Sequence, residues 1–114
     1  MFKQGEIYYF NLEPSRGVEE KKTRPCVIVS NDNYNKTFNT VMVLPITSAK
    51  KYVEQEKYRV SPLFKFFSGS KISGTILLQH LRTIDPNVRV SGPIQDYLPQ
   101  EIIEELRTYL KQFF

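Results

Sequence analysis

The stretch TRPCVIV at residues 23–29, followed by VMVLPITS at residues 41–48, decides the fold of this chain. Each stretch contains a continuous apolar run of the length that is typical of a buried β-strand. Arg24 stands just before the first run, and Thr47 and Ser48 close the second. If the two strands are antiparallel neighbours, the start of one and the end of the other lie at the same edge. A guanidinium and a hydroxyl at such an edge can together bind a phosphodiester by donating hydrogen bonds to its oxygens.

Shorter patterns on either side of this pair indicate further strands and one late helix. Residues 5–12, 58–61 and 75–84 are rich in aromatic and β-branched side chains, which predicts strands, and a brief pairing is expected at 88–90. Residues 99–113 carry apolar side chains at helical spacing, with acidic residues early and basic residues late, which favours an α-helix. We therefore expect a single, mainly β domain over all 114 residues, folded as a small, strongly curved antiparallel sheet or barrel with a C-terminal helix.

The composition narrows the class of protein. Lysine and arginine number 16 against 12 aspartates and glutamates, so the formal net charge is +4 and the sequence pI is about 9.2. This excess favours a polyanionic partner, although many basic domains bind no nucleic acid. Cys26 is the single cysteine, which excludes an internal disulfide and fits a reducing compartment. No segment approaches the ~20 apolar residues of a membrane span, so we expect a cytoplasmic protein that does not associate with membranes.

Six short blocks of sequence follow one another along the chain. They are GEIY at 5–8, LEP at 12–14, GVE at 17–19, TRP at 23–25, PITS at 45–48 and LRTID at 81–85. With these blocks in register, the chain resembles the MazF/PemK toxins of bacterial type II toxin-antitoxin systems. The resemblance extends from about residue 5 to the C-terminus. It implies an SH3-like barrel of the MazF/PemK/CcdB-like kind that pairs as a homodimer.

The same resemblance implies an activity and a set of site residues. It implies a sequence-specific, ribosome-independent endoribonuclease that cuts single-stranded mRNA, and a cognate antitoxin whose flexible tail blocks the RNA groove. The catalytic pair of the family falls on Arg24 and Thr47 here, and Glu19 takes the place of a loop glutamate that is often important as well. The residues expected to contact the RNA are Ser48, Lys50, Glu20, Gln79 and His80.

The residue inventory is consistent with RNA cleavage that needs neither metal nor cofactor. Such cleavage deprotonates the 2′-hydroxyl, stabilises the extra charge at phosphorus and protonates the leaving 5′ oxygen, which produces 2′,3′-cyclic phosphate and 5′-hydroxyl ends. His80 is the only histidine, which excludes a two-histidine mechanism within one chain, and one histidine with one cysteine makes a zinc site implausible. Arg24 is then expected to stabilise charge and Thr47 to position the phosphate, with Glu19 or Glu20 as a possible base.

Departures from the family pattern keep two other functions open. Val18 stands where some members have a histidine, and Leu77 and Gln79 stand where some have an arginine and an aspartate. The chain is therefore compatible with a degenerate member that only titrates antitoxin. It is also compatible with a non-catalytic module on the same barrel, like the gyrase poisons, because a fold does not determine a function.

Three phenylalanines in the later half of the chain also have two interpretations. Phe64, Phe66 and Phe67 either pack in the core and the dimer contact or offer a platform on which RNA bases stack.

Overall fold

A computed structural model describes residues 1–12 and 23–114 of the chain. The described residues form seven strands and five helices, with 3₁₀ turns at Leu78–His80 and Lys111–Phe113. The elements are, in chain order, β1 (Glu6–Asn11), β2 (Thr23–Ile28), α1 (Asp32–Thr37), β3 (Val41–Thr47), α2 (Lys51–Glu54), α3 (Glu56–Arg59), β4 (Phe64–Ser68), β5 (Ser73–Leu77), β6 (Arg82–Ile84), α4 (Pro86–Arg89), β7 (Val90–Tyr97) and α5 (Gln100–Leu110).

The seven strands form one antiparallel sheet in the order β4-β5-β3-β2-β1-β7, and β6 also pairs with β3. Hydrophobic side chains are buried on both faces of this sheet, which explains why β2 and β3 are continuous apolar runs and do not alternate. One face, with Val27 and Leu44, packs against Ile103 and Leu106 of α5. The other face carries a second cluster, made of Phe10, Leu12, Cys26, Ile28, Val41, Val43 and Ile84. The predicted fold class, a mainly β chain with a curved antiparallel sheet and a C-terminal helix, is confirmed.

A buried carboxylate joins the two ends of the sheet. Asp96 lies on β7, the last strand at one end, and accepts hydrogen bonds from the backbone N–H groups of Lys71 (2.8 Å) and Ile72 (2.9 Å). These two residues lie in the turn between β4 and β5, the strands at the opposite end. The curved sheet is therefore closed by a side chain and not by a backbone ladder.

Two predicted strands differ from the observed structure. Residues 58–61 are not a strand, because Tyr58 belongs to α3, where its ring packs against those of Tyr52 (4.8 Å between centroids) and Phe64 (5.0 Å). The strand predicted at 75–84 is divided into β5 and β6 by a 3₁₀ turn. In both places contacts between segments outweigh the β propensity of the local sequence. The predicted C-terminal helix is confirmed as α5, which begins directly after Pro99.

Candidate active site

The β2–β3 register places Arg24 and Thr47 at neighbouring strand ends. The pairing aligns Cys26 with Pro45 and continues antiparallel to Ile28. Extrapolated by two residues in the other direction, beyond the last recorded pair, this register would bring Arg24 opposite Thr47. Because opposed residues of an antiparallel pair point to the same face, both side chains lie on the face that carries Phe10 and Cys26.

Two prolines lie at this point of the two strands. Neither Pro25 nor Pro45 has an N–H group; at position 25 it would face β3, whereas at position 45 it would face away from β2, since Val29 N–H donates to the Met42 carbonyl and the direction alternates along each strand. Among the described residues the β2–β3 pairing ends at Cys26 and Pro45. Beyond that point, β2 remains paired with β1, and β3 remains paired with β5. Arg24 pairs with Phe10 of β1, and Thr47 pairs with Thr75 of β5. The strand ends that carry Arg24 and Thr47 are thus held by β1 and β5, and the ladder between β2 and β3 is interrupted there.

Thr47 is fixed by its own turn and by the strand beside it. Its side chain is buried, and Oγ1 accepts a hydrogen bond from the backbone N–H of Ala49 at 3.2 Å. This is the turn contact of an ordinary strand-end threonine, but accepting a bond leaves the O–H able to donate to a phosphate oxygen. Gly74 of β5 lies so close that a Cβ there would come within 2.5 Å of the Thr47 carbonyl oxygen. The backbone at Thr47 therefore depends on glycine at position 74.

A second guanidinium lies at the same end of the same face. Burial raises the pKa of the Cys26 thiol to about 12, while the positive charges of Arg82 and Arg24 act in the opposite direction. The strand pairing agrees with this: Arg24 is two residues from Cys26 on the same strand face, and Arg82 is paired with Val43, which faces the same side as Cys26. Nη1 of Arg82 donates to the backbone carbonyl of Leu12 at 3.2 Å, immediately before residues 13–22. Two partly buried cations at one strand edge favour the binding of an anion there. Of these two arginines, the sequence predicted only Arg24 as a site residue.

The other predicted site residues are distributed over the surface around β3. Ser48 and Lys50 follow β3 directly and are exposed. Gln79 and His80 are both exposed and lie in the 3₁₀ turn between β5 and β6, which pair with the two halves of β3. Strict strand alternation would have put them on opposite faces, and the turn removes that restriction. Glu19 and Glu20 lie outside the described residues.

Two surface cavities of the described chain lie elsewhere. One, of about 190 Å³, is an apolar groove along α5 lined by Val29, Leu106 and Leu110 among others. The other, of about 250 Å³, is lined mainly by residues 35–41 and the N-terminus. Neither lining contains Arg24 or Thr47, so these residues lie on a different part of the surface. Within residues 1–12 and 23–114, no group of three or more histidine, cysteine, aspartate and glutamate side chains is close enough to hold a metal ion.

Comparison with known proteins identifies the family. The family described as PemK-like, MazF-like toxin of type II toxin-antitoxin system matches residues 3–114. The chain belongs to this family, and the resemblance seen in the sequence is confirmed. It is 29% identical to the endoribonuclease PemK of Escherichia coli over 104 residues, 91% of this chain and 75% of that protein. It is 32% identical to the endoribonuclease MazF of Staphylococcus saprophyticus over 95 residues, 76% of this chain and 71% of that protein.

Solved structures give the same fold. MazF from Deinococcus radiodurans superposes with a TM-score of 0.75 at 23% identity, covering 97% of this chain and 94% of that one. A mycobacterial endoribonuclease in complex with its cognate antitoxin superposes with a TM-score of 0.73 at 17% identity, covering 98% and 93%. The expectation of an endoribonuclease is confirmed at the level of the family, and the roles of individual residues stay predictions. In the described part of the chain no helix is long and apolar enough to cross a membrane.

Proposed function

We propose that this chain is the toxin of a type II toxin-antitoxin system and cuts single-stranded mRNA at a short sequence, without ribosome or metal. The observation that carries the proposal is the row formed by Arg24 and Thr47 at the interrupted end of β2 and β3, in a chain whose curated relatives are endoribonucleases. Attack by the 2′-hydroxyl would leave a 2′,3′-cyclic phosphate and a 5′-hydroxyl. We expect the protein to act as a cytoplasmic homodimer and to be neutralised by a cognate antitoxin.

Each side chain has a role that its chemistry allows. The Arg24 guanidinium stabilises the charge that develops on the phosphoryl oxygens and, as a group that only donates, is poorly suited to removing a proton. Thr47 donates its O–H to a phosphate oxygen while its turn holds it in place. Arg82 adds positive charge nearby and holds the backbone at Leu12, where the segment that carries Glu19 and Glu20 begins. A carboxylate of that segment is the proposed proton acceptor.

Replacement of Arg24 by alanine tests the proposal. Loss of one preorganised charge donor costs ~10²–10³ in rate, so R24A should cut a long RNA at least that much more slowly and should no longer arrest growth on expression. The assay uses a defined mRNA with chelator present, and primer extension maps the ends. A 2′-O-methyl group at the mapped nucleotide should abolish cutting there, since the attacking oxygen is blocked.

The matched control is Arg107→Ala. Arg107 is exposed on the outer face of α5 and forms an ion pair with Glu104 at 3.4 Å, so its removal should leave the rate unchanged. Circular dichroism of both variants establishes that they are folded. Wild-type cutting by a folded R24A protein would remove Arg24 from the mechanism. If the wild-type protein leaves the RNA uncut, the result would instead favour one of the two other functions: a non-catalytic binding module, or a degenerate family member that only titrates antitoxin.

A further inference from the structure

The structure separates the three phenylalanines of β4 into different environments. Phe67 is 4% exposed and belongs to the core beside α5. Phe64 packs in a three-ring group and is stacked on Tyr52, with 5.2 Å between ring centroids and 21° between ring planes. Phe66 is 52% exposed. Two of the three rings therefore pack, and one offers its surface to solvent.

Phe66 lies in the same cross-strand row as the candidate catalytic residues. It is paired with Thr75 of β5, and Thr75 is paired with Thr47 of β3. Paired residues point to the same face, so Phe66 faces the same side of the sheet as Thr47 and Arg24. Two strand spacings separate Phe66 from Thr47, about 10 Å along the sheet. The exposed ring is thus the outer end of the row in which the phosphate is expected to bind.

The segment that packs on Phe64, two residues from Phe66 on the same face of β4, is positively charged. Residues 50–60 contain four cationic side chains and two acidic ones, a net charge of +2. Two of the cations are held over aromatic rings: Lys51 Nζ lies 5.1 Å from the centroid of Tyr52, and Lys57 Nζ lies 5.1 Å from that of Tyr58. Such cation–π contacts position the ammonium groups while leaving their N–H donors free to reach an anion.

We infer that Phe66 stacks on a nucleobase of the bound RNA next to the scissile phosphate, and that Lys51 and Lys57 contact phosphates of the same strand. This inference rests on the proposed function. An exposed ring beside ordered cations is the combination that binds single-stranded nucleic acid, because any base can stack on the ring and the phosphates meet the cations. The surface made by Phe66, Lys51 and Lys57 would extend the site beyond the cleaved bond and raise affinity for flanking nucleotides.

Binding to an uncleavable RNA tests the inference. The probe is an oligoribonucleotide that spans a mapped cleavage site, carries 2′-O-methyl at the cut nucleotide and has 2-aminopurine at each flanking position in turn. Phe66→Ala should weaken binding about 5- to 150-fold, the range observed when a stacking aromatic is removed, and should abolish quenching at one flanking position. Phe66→Tyr should retain both. KM for the cleavable RNA should rise in parallel with the loss of binding.

The matched control is Phe38→Ala. Phe38 is 54% exposed and lies directly after α1, beyond the end of β2 opposite to Arg24, so its removal should leave binding unchanged. Lys51→Ala and Lys57→Ala should each reduce the slope of log affinity against log salt by about 0.7, the value for one phosphate contact on a single strand. Phe66→Ala should leave this slope unchanged.

Several results would overturn the inference. If wild-type protein leaves the RNA uncut, the proposed function fails and this inference falls with it. If the wild type cuts but F66A binds as F38A does, only the stacking role is refuted. Light scattering gives the mass of each variant. An F66A protein that dissociates, and that binds RNA normally once concentrated enough to assemble, would identify the ring as a contact between copies of the chain.

Discussion

Replacement of Asp96 by asparagine should loosen the closure of the curved sheet, and the hydrogen bonds of its carboxylate give the expected cost. Oδ2 accepts from the N–H groups of Lys71 (2.8 Å) and Ile72 (2.9 Å), and Oδ1 accepts from Tyr97 N–H (2.9 Å). Asparagine keeps one carbonyl oxygen and presents an NH₂ group in place of the other, so at least one N–H donor loses its acceptor. A hydrogen bond to a charged group contributes about 1.5–3 kcal/mol, so the one bond that must be lost costs about 1.5–3 kcal/mol.

Urea unfolding at pH 7, monitored by circular dichroism, measures this loss. The change corresponds to a fall of about 6–12 °C in Tm for a chain of this size. Asp85→Asn is the matched control: the Asp85 side chain caps α4 by accepting from Asn87 N–H at 3.1 Å. Asparagine and aspartate serve about equally at that position, so this variant should remain within about 0.5 kcal/mol of the wild type.

The pH dependence provides a second, independent check. Burial raises the pKa of Asp96, but the backbone N–H groups that surround the carboxylate lower it more, so that the pKa lies below its ordinary value of 3.8. Because the folded pKa is the lower one, the stabilisation is fully present above the ordinary pKa and is lost as pH falls through the folded value. The stability gap between wild type and D96N should be constant from pH 8 to 5 and shrink below about pH 4. Equal stability at pH 7, or a gap that widens in acid, would refute this reasoning.

Two further substitution or labelling experiments address the strands beside the site. Gly74→Ala should lower the free energy of unfolding by about 1–3 kcal/mol through overpacking and should also lower the cleavage rate, because its Cβ would press on the Thr47 carbonyl. Ser73→Ala, at an exposed position of the same strand, is the control. A G74A enzyme with unchanged stability and rate would contradict the close contact. Cys26 should resist thiol reagents at pH 8, where a pKa of about 12 leaves about one thiol in ten thousand ionised. Labelling should follow the unfolding curve in denaturant, and rapid labelling of the native protein would show that the thiol is accessible.

The sequence predicted the elements whose signals are local. The apolar runs of β2 and β3 and the helical periodicity of α5 are each visible within about ten residues. The strand predicted at 58–61 was wrong because Tyr58 is held in α3 by rings from other segments. Closure of the sheet by Asp96 was not predicted either, since the turn it binds lies 24 or 25 residues away in the sequence and no local pattern connects the two.

The candidate site was predicted only in part, for a similar reason. Arg24 and Thr47 border long apolar runs, so the pairing of their two strands could be predicted from the sequence. Thr75 and Gly74 were missed, although a glycine in a strand often marks a close backbone approach, and the sequence SGT before the apolar run 76–78 carried that signal. The position of Arg82 near Cys26 depends on the pairing of β6 with β3, which the sequence predicted only as one long strand.

The interruptions of the ladders explain why the site lies at this end of β3. Pro25 ends the pairing with β2 just before Thr47, because its position faces β3 and it has no N–H group to donate, and the 3₁₀ turn Leu78–His80 interrupts the pairing on the other side of the strand. A continuous sheet would occupy its backbone groups and present flat faces, whereas interrupted ladders leave side chains at a rim that an extended strand of nucleic acid can approach. Restoring a ladder should therefore close the rim. Pro25→Val supplies the missing N–H group opposite the Ile46 carbonyl, and we expect a more stable protein that cuts RNA more slowly; a variant that is stabilised with full activity would show that the interruption is dispensable.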